Sequence, residues 1–220
     1  MALKAKGISK SFYTPAKVSI VNGLDLQVAK GETVAITGKS GQGKSTLLHI
    51  LGTLDSPCSG SLQIMGQNVS FFNKSFIRNR HLGFIFQSFH LLDDYTALEN
   101  VLMPAKIARK ETGSKSESFK LASSLLEQVG LGSRAHFNSK LLSGGEKQRV
   151  AIARALCNNP DIIFADEPSG NLDKETASCI HDLLISFTKK QNKSLIMVTH
   201  DPSLAKLADT SYTLCDGKLI

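Results

Sequence analysis

The nine residues from Gly38 to Thr46 carry the clearest chemistry in this chain. They read G-K-S-G-Q-G-K-S-T and fit the phosphate-binding loop pattern G-x-x-x-x-G-K-[ST]. Glycines let such a loop curl until successive backbone N–H groups point at phosphate oxygens. Lys44 adds a positive charge toward the β- and γ-phosphates, and Ser45 offers a hydroxyl to Mg²⁺. The predicted nucleotide-binding residues of this loop are Gly38, Lys39, Ser40, Gly41, Gln42, Gly43, Lys44, Ser45 and Thr46.

Two later strand ends supply groups for acid–base chemistry. The hydrophobic run that starts at Asp161 ends in the carboxylates Asp166 and Glu167. In a parallel sheet, Asp166 would lie beside the Mg²⁺ held by Ser45, and Glu167 could take a proton from the attacking water. His200 follows another buried run and could donate to a γ-phosphate oxygen. The remaining histidines are predicted to be structural or on the surface: His49, His81, His90, His136 and His181.

A helix predicted to begin after Ser143 has an unusual first turn. Ser143 stands in N-cap position, and Gly144 and Gly145 follow it directly. Each glycine costs a helix roughly 1 kcal/mol relative to alanine. Bare amides at the positive end of a helix suit an anion, so this turn is predicted to be a second phosphate-binding surface.

The elements around these residues predict an α/β fold with a mostly parallel sheet. A β-rich run at 33–37 precedes the loop and a helix at 47–51 follows it, as a P-loop NTPase core requires. The pattern of residues 3–37 predicts short antiparallel strands with a turn at Asn22–Gly23. Residues 91–142 show no pattern that is typical of strands. We therefore predict one domain over 1–220, with a core at about 1–90 and 158–220 and an inserted helical lobe at about 91–157.

Composition narrows the possible classes of protein. The 220 residues are 41% hydrophobic, which is enough to fill the core of one large domain. Neither an N-terminal apolar segment nor a run of eighteen apolar residues occurs, so no signal peptide or membrane span is expected. The four cysteines are far apart and are expected to be reduced and buried. The net charge is +7, but the lysines are scattered, with little aromatic interleaving beyond Phe71–Phe72, and this favours a solvated basic surface over nucleic-acid binding.

Aromatic residues near the chain start offer a possible adenine contact. Phe12 and Tyr13 lie between the first two predicted strands. An aromatic face there could stack on the base, and simple packing of an edge loop explains it equally well. Phe12 is taken as the candidate nucleotide contact.

Residues 142–149, L-S-G-G-E-K-Q-R, resemble the signature sequence of ABC-type ATPases. That family's other marks occur in order: Gln87 as the glutamine-loop residue, Asp166–Glu167 as the Walker B end, the D-loop at 171–173, and His200 as the switch histidine. The resemblance covers essentially all 220 residues. It implies an ATPase that uses ATP and Mg²⁺.

The family resemblance also implies how the site is assembled. Two such domains pair head to tail as a homodimer, and each ATP lies between the phosphate loop of one chain and the signature of the other. Ser143, Gly144 and Gly145 would then contact the partner's nucleotide. Gln87 would join Ser45 and Asp166 around Mg²⁺ and act in catalysis. Asp173 would contact nucleotide at the interface and link the two sites.

Within the family, residues 83–92, 96–101 and 165–173 look like a subgroup that serves lipoprotein release, macrolide export and cell division. Residues 47–52 and 158–160 favour the lipoprotein-releasing type. The implied protein is peripheral, on the cytoplasmic face of the inner membrane, where two permease subunits dock around 89–95 and the helical lobe. An efflux or mechanotransmission complex is the alternative, and part of 84–92 could be plain core. A DNA-associated member is disfavoured because no heptad run appears.

Overall fold

The computed structural model describes residues 1–13 and 18–220. Ten strands and seven helices are seen in this part of the chain, with short 3₁₀ turns at Gly132–Arg134 and Ser139–Leu141. The strands are β1 (Leu3–Phe12), β2 (Val18–Val28), β3 (Thr33–Thr37), β4 (Ser59–Ile64), β5 (Gln67–Asn68), β6 (Leu82–Ile85), β7 (Ile162–Asp166), β8 (Ser194–Val198), β9 (Thr210–Cys215) and β10 (Lys218–Leu219). The helices are α1 (Lys44–Leu51), α2 (Lys74–His81), α3 (Ala97–Ile107), α4 (Glu117–Gln128), α5 (Gly144–Leu156), α6 (Lys174–Lys190) and α7 (Pro202–Ala205).

A six-stranded sheet carries the predicted site residues. Its order is β10-β9-β3-β8-β7-β6, and all neighbours from β9 to β6 run parallel, as the sequence predicted. Parallel strands present their carboxyl ends at one edge. The phosphate loop, Gln87 and His200 therefore follow β3, β6 and β8 at the same edge of the sheet where Asp166 ends β7.

The central strands β3, β7 and β8 are buried on both faces of this sheet. Alternate residues of a strand point to opposite sides, so each strand contacts two different clusters. Ile163 and Ala165 of β7 face the cluster formed with helices α3 to α6. Ile162 and Phe164 face the other cluster, which includes α1 and the N-terminal strands. The strand that delivers Asp166 is thus packed on both sides and held firmly in position.

The N-terminal strands form a separate antiparallel sheet in the order β2-β1-β4-β5. The predicted turn at Asn22–Gly23 is wrong, because β2 continues through both residues. The pairing shifts between Ile8 opposite Leu24 and Lys10 opposite Val21, so the two residues form a bulge. Gly23 has φ +61°, a left-handed value that glycine tolerates and that the sequence signal for a turn shares with a bulge.

Helices α3, α4 and α5 pack on one another in the predicted helical segment. Thr96 caps α3 in a capping box with Glu99, and Gly130 at φ +75° follows the end of α4. Helix α3 continues past Pro104 to Ile107, and Asn158 Nδ2 donates to the Pro104 carbonyl at 3.0 Å. Because α5 also packs against β6, these helices share a core with the sheet. The exact division into core and lobe stays a prediction.

Two features differ from the sequence analysis. Helix α2 was not predicted, because only Ile77 and His81 of its eight residues are buried and no apolar stripe marks it. The cysteines are free, but only Cys157 is buried. The expectation of buried cysteines was wrong for the other three, Cys58, Cys179 and Cys215, which are exposed.

In the described part of the chain, no helix is both long and apolar enough to cross a membrane.

Candidate functional site

The phosphate loop joins β3 to α1 and is built on left-handed glycines. Gly41 and Gly43 have φ +80° and +88°, which an L side chain rarely adopts. A Cβ on Gly43 would lie 2.1 Å from Ile20 Cγ2, and one on Gly38 would lie 2.7 Å from the Leu214 carbonyl oxygen. Glycine is therefore required at Gly38 and Gly43 by close packing as well as by backbone conformation.

Lys44 is directed into the loop rather than into solvent. Its amine donates to the carbonyls of Gly38 at 2.9 Å and Lys39 at 3.1 Å, and the residue is buried. Gln42 Oε1 accepts from the backbone N–H of Asp216 at 3.2 Å, which ties the loop to the β9–β10 turn. The loop is thus held in a curled form by contacts within its own chain.

Ser45 and Asp166 meet at the edge of the sheet. Ser45 Oγ donates to Asp166 Oδ1 at 3.0 Å, which joins the end of β7 to the first turn of α1. Burial raises the pKa of the Asp166 carboxyl, and the bond from Ser45 opposes that rise. His49 was predicted to be structural or on the surface, but its Nε2 lies 3.9 Å from Asp166 Oδ2. Its position four residues after Ser45, on the same helix face, was the available signal.

Glu167 and His200 form a pair at the same edge. Glu167 Oε1 lies 2.9 Å from His200 Nδ1, and Glu167 Oε2 accepts from the His200 backbone N–H at 3.2 Å. Glu167 has φ +44°, a strained value of the kind found at functional sites. The carboxylate is mostly covered, while 69% of the histidine side chain is exposed. The structure therefore brings the two predicted catalytic groups into contact.

Gln87 is directed toward the D-loop, residues 171–173. Its amide nitrogen donates to Asn171 Oδ1 at 3.2 Å, and Asn171 Nδ2 donates back to the Gln87 carbonyl at 3.2 Å. A Cβ on Gly170 would lie 2.9 Å from the same amide. Among the described residues, no hydrogen bond joins Gln87 to Ser45 or Asp166. Its role at a metal ion stays a prediction.

The signature turn, residues 143–145, lies at the exposed start of α5. Ser143 Oγ accepts from the Glu146 N–H at 3.3 Å, and Glu146 Oε2 accepts from the Ser143 N–H at 2.9 Å, which completes a capping box. That second bond also lowers the pKa of Glu146. No acceptor is seen among the described residues for the N–H groups of Gly144 and Gly145. These two amides are left for another acceptor, and the role of the turn as a second phosphate-binding surface stays a prediction.

Asp173 lies on the same surface as the signature turn. Its carboxylate caps α6 by accepting from the Thr176 N–H at 3.0 Å, and this bond is the first cause of its lowered pKa. One depression is lined jointly by these two segments. A Cβ on Gly145 would lie 2.6 Å from Thr176 Cγ2, so the two segments pack closely.

Phe12 ends β1, and Tyr13 follows it. They are 45% and 68% exposed, and Lys10 Nζ lies 5.3 Å from the centre of the Phe12 ring. Phe12 therefore presents an accessible ring, and its stacking on adenine stays a prediction.

Arg154 of α5 is a further residue that the sequence analysis missed. It is partly buried, and this burial lowers its pKa to about 10. Its guanidinium donates to the Phe89 carbonyl at 2.6 Å and to the His90 carbonyl. Both of these residues have positive φ, 58° and 50°. Arg154 thus fixes the segment after Gln87 to the helix that begins at the signature turn, a contact 64 residues apart that no local pattern reveals.

The comparisons with known proteins agree with this geometry. The family model described as "ABC transporter" matches residues 21–170. The chain is 59% identical over 219 residues to a lipoprotein-releasing system ATP-binding protein LolD from Protochlamydia amoebophila, covering 100% of this chain and 96% of that protein. LolD proteins of Xylella fastidiosa and Bacteroides fragilis are 46% and 45% identical, covering 99% and 98% of this chain and 91% and 98% of theirs.

The fold of this chain is also similar to that of solved ATP-binding cassettes. The chain resembles the ATP-binding cassette MJ0796, described as a dimer in a post-hydrolysis state bound to ADP and Pi, with a TM-score of 0.88 and 37% identity. That alignment covers 99% of this chain and 96% of the cassette. A family match over most of the chain, full-length relatives and a shared fold lead to one conclusion. The chain belongs to the ABC transporter family as an ATP-binding domain that hydrolyses ATP.

Proposed function

We propose that this chain is the ATP-hydrolysing subunit of a lipoprotein-releasing ABC system. The observation that carries the proposal is its full-length similarity to relatives named as LolD, at 59% identity for the Protochlamydia protein. The contacts of Lys44 in the phosphate loop, of Asp166 with Ser45, and of Glu167 with His200 support the proposal. Hydrolysis would power extraction of lipoproteins from the inner membrane toward the outer membrane through partner permeases.

Lys44 and the amides of the loop would bind and neutralise the phosphates of ATP. The hydroxyl of Ser45 and the carboxylate of Asp166 lie 3.0 Å apart and offer the hard oxygen ligands that Mg²⁺ takes, so the residues present fit that ion. The side chain of Gln87 would turn away from Asn171 and help to order the water molecules bound to Mg²⁺. When bound, Mg²⁺ would supply charge neutralisation at the phosphate oxygens.

Glu167 would act as general base toward the attacking water. Its carboxylate is held by two contacts with His200, one from the backbone N–H and one from the ring, so its orientation is fixed before ATP binds. The largely exposed ring of His200 would hold the γ-phosphate. The acid–base pair is therefore assembled within one chain.

The signature turn would complete the site of a second copy. Gly144 and Gly145 present amides on an exposed surface next to Asp173, which suits the γ-phosphate of a nucleotide carried by another chain. MJ0796 is described as dimeric, and this supports a homodimer here. Binding of ATP would close the dimer, Asp173 would link its two sites, and hydrolysis would reopen it.

The permeases would dock at a groove between the sheet and the helical lobe. Its lining includes Phe86, His90, Met103 and Arg154. Phe86 stacks on His90 with ring centres 4.8 Å apart, and Arg154 holds the His90 carbonyl. A permease bound there would contact both the segment after Gln87 and helix α5, which begins at the signature turn. Two permease subunits would hold the ATPase dimer peripherally at the cytoplasmic face of the inner membrane, with no nucleic acid involved.

The test is a pull-down from cells with tagged Glu167→Gln protein, in mild detergent with ATP. Glutamine cannot accept the proton of the attacking water, so the closed dimer should accumulate with its permeases attached. We expect two related permeases of the lipoprotein-releasing type to co-purify. A Lys44→Ala variant, which should not bind ATP, is the matched control for the closed state.

Other outcomes separate the alternatives. A single exporter permease would favour an efflux complex, and a cell-division protein would favour mechanotransmission. In either case the conclusion that the chain hydrolyses ATP would stand, but the proposal that the transported cargo is a lipoprotein would be wrong. Recovery of DNA without any permease would overturn the transport role.

A further inference from the structure

Three phenylalanines stand exposed in one short segment just before β6. Phe71, Phe72 and Phe76 are 79%, 95% and 58% exposed. The rings of Phe71 and Phe72 meet edge to face, with centres 5.8 Å apart. Single exposed apolar side chains are ordinary on a soluble domain, but three large rings within six residues form a patch that marks an interaction site.

The charged side chains of this segment itself are all basic, and Asp161, which borders it, is paired with His81 at 2.6 Å. Helix α2 reads K-S-F-I-R-N-R-H and holds no acidic residue. Lys74 Nζ lies 5.1 Å from the centre of the Phe71 ring, and Arg80 Cζ lies 5.9 Å from that of Phe76. Arg78 is directed inward instead and donates to the Thr53 carbonyl at 2.8 Å. The accessible surface therefore alternates aromatic rings with cations, which requires an occupant that is both apolar and anionic.

We propose that residues 71–80, the aromatic-basic segment, bind the surface of an anionic phospholipid bilayer. The rings of Phe71 and Phe72 would enter the headgroup region, and Lys74 and Arg80 would pair with lipid phosphates. These two rings protrude, whereas Phe76 borders a depression that Arg80 also lines. A protruding aromatic pair suits a soft layer that it can penetrate better than it suits a rigid protein surface.

The position of the segment agrees with this occupant. Ser75 and Asn79 of α2 also line the groove of Phe86 and His90, where the proposed function places a permease. An ATPase held under the membrane at that groove would turn the adjoining segment toward the lipids beside the permease. This step rests on the proposed function, whereas binding of lipid by the isolated chain does not.

The experiment is flotation of the purified chain with vesicles of phosphatidylcholine, with and without phosphatidylglycerol. We expect binding only when phosphatidylglycerol is present, and release as salt is raised. The double variant Phe71→Ser/Phe72→Ser should lose most of the binding. The double variant Lys74→Glu/Arg80→Glu should lose at least about thirtyfold in partition coefficient, because each lost basic side chain costs about 1 kcal/mol near an anionic leaflet and each new carboxylate adds repulsion.

Two control variants match these changes elsewhere on the surface. Phe137 is 46% exposed and lies beside Arg134, with Cζ 5.6 Å from the ring centre, so Phe137→Ser removes a similar exposed ring. Lys189→Glu/Lys190→Glu changes the net charge as much as the α2 charge variant does. Both controls should float nearly as well as the unaltered chain. If the controls lose as much vesicle binding as the segment variants do, general basic charge explains the binding and the proposal fails. The proposal also fails if none of the variants loses vesicle binding.

A protein partner would give a different pattern. If Phe71→Ser/Phe72→Ser floats normally but no longer co-purifies permeases, the segment is a permease contact and the proposal is overturned. Because the vesicles contain neither permease nor ATP, a failure of flotation leaves the proposed ATPase role untouched. Conversely, a failed permease pull-down leaves the flotation result standing.

Discussion

The phosphate loop and the signature turn both offer backbone amides to anions, but they differ in how far one chain prepares them. In the loop, Lys44 is held by two carbonyls and Ser45 is bonded to Asp166. In the signature turn, the capping box satisfies the amide of Glu146, and the amides of Gly144 and Gly145 have no acceptor among the described residues. In the proposed homodimer, the loop would hold the nucleotide of its own chain, and the signature turn would contact the nucleotide held by the other chain.

The largest expected effect comes from Glu167→Gln, which removes the proposed base and keeps the phosphate loop intact. The hydrolysis rate should fall by about 10²- to 10⁴-fold, because general-base catalysis contributes on that order. ATP affinity should change little, since Lys44 and the loop amides are untouched. Steady-state phosphate release and equilibrium ATP binding measure the two effects. Equal losses in both would show that Glu167 serves binding instead.

Gly43→Ala tests whether the loop is prepared by close packing. The new methyl would lie 2.1 Å from Ile20 Cγ2, and φ is +88°, so the loop must shift and ATP affinity should fall by on the order of tenfold or more. Gly41→Ala is the matched control, because Gly41 has φ +80° but nothing within 4 Å of an added Cβ. It should lose less affinity. Equal losses would mean that backbone strain alone matters.

Ser143→Ala tests the role of the signature turn. Loss of the N-cap should lower the free energy of unfolding by about 1 kcal/mol. Ser116→Ala removes the cap of α4, where Ser116 Oγ accepts from the Phe119 N–H at 3.2 Å, and should cost about the same. Only Ser143→Ala should also lower the ATPase rate at high enzyme concentration. Denaturant titrations and ATPase assays of both variants distinguish a cap from a ligand contact.

The smallest effect concerns the pH dependence of stability at Asp166. Burial raises the pKa of this carboxyl in the folded chain, so ionisation above that pKa opposes folding. Asp166→Asn should therefore raise the melting temperature of the nucleotide-free chain at neutral pH. The gain should shrink as the pH falls through the raised pKa, where the native carboxyl takes up its proton. A gain that is constant with pH would exclude this cause.

The phosphate loop, strand β7 and the caps of α3 and α5 were predictable, because each depends on neighbours within a few residues. Thr96 and Ser143 both stand three residues before a glutamate, which is the local signature of a capping box. The bulge at Asn22–Gly23 was mistaken for a turn because both structures use the same residue types.

The missed contacts all depend on distant pairing. Arg154 meets the carbonyls of Phe89 and His90 only after α5 has packed beside β6. Gln87 contacts Asn171, which lies 84 residues away in the chain. No periodicity or motif encodes such contacts, so they require the tertiary structure.

The measurement that tests the two-chain site most directly mixes two defective variants. Lys44→Ala lacks the charge in the phosphate loop, and Ser143→Arg blocks the signature turn, so each alone should be nearly inactive. In a mixed dimer one site combines an intact loop with an intact signature turn, and random pairing restores about a quarter of the sites. We predict that ATPase activity reappears on mixing. If the mixture is no more active than the sum of its parents, the phosphate loop and signature turn do not act across two chains.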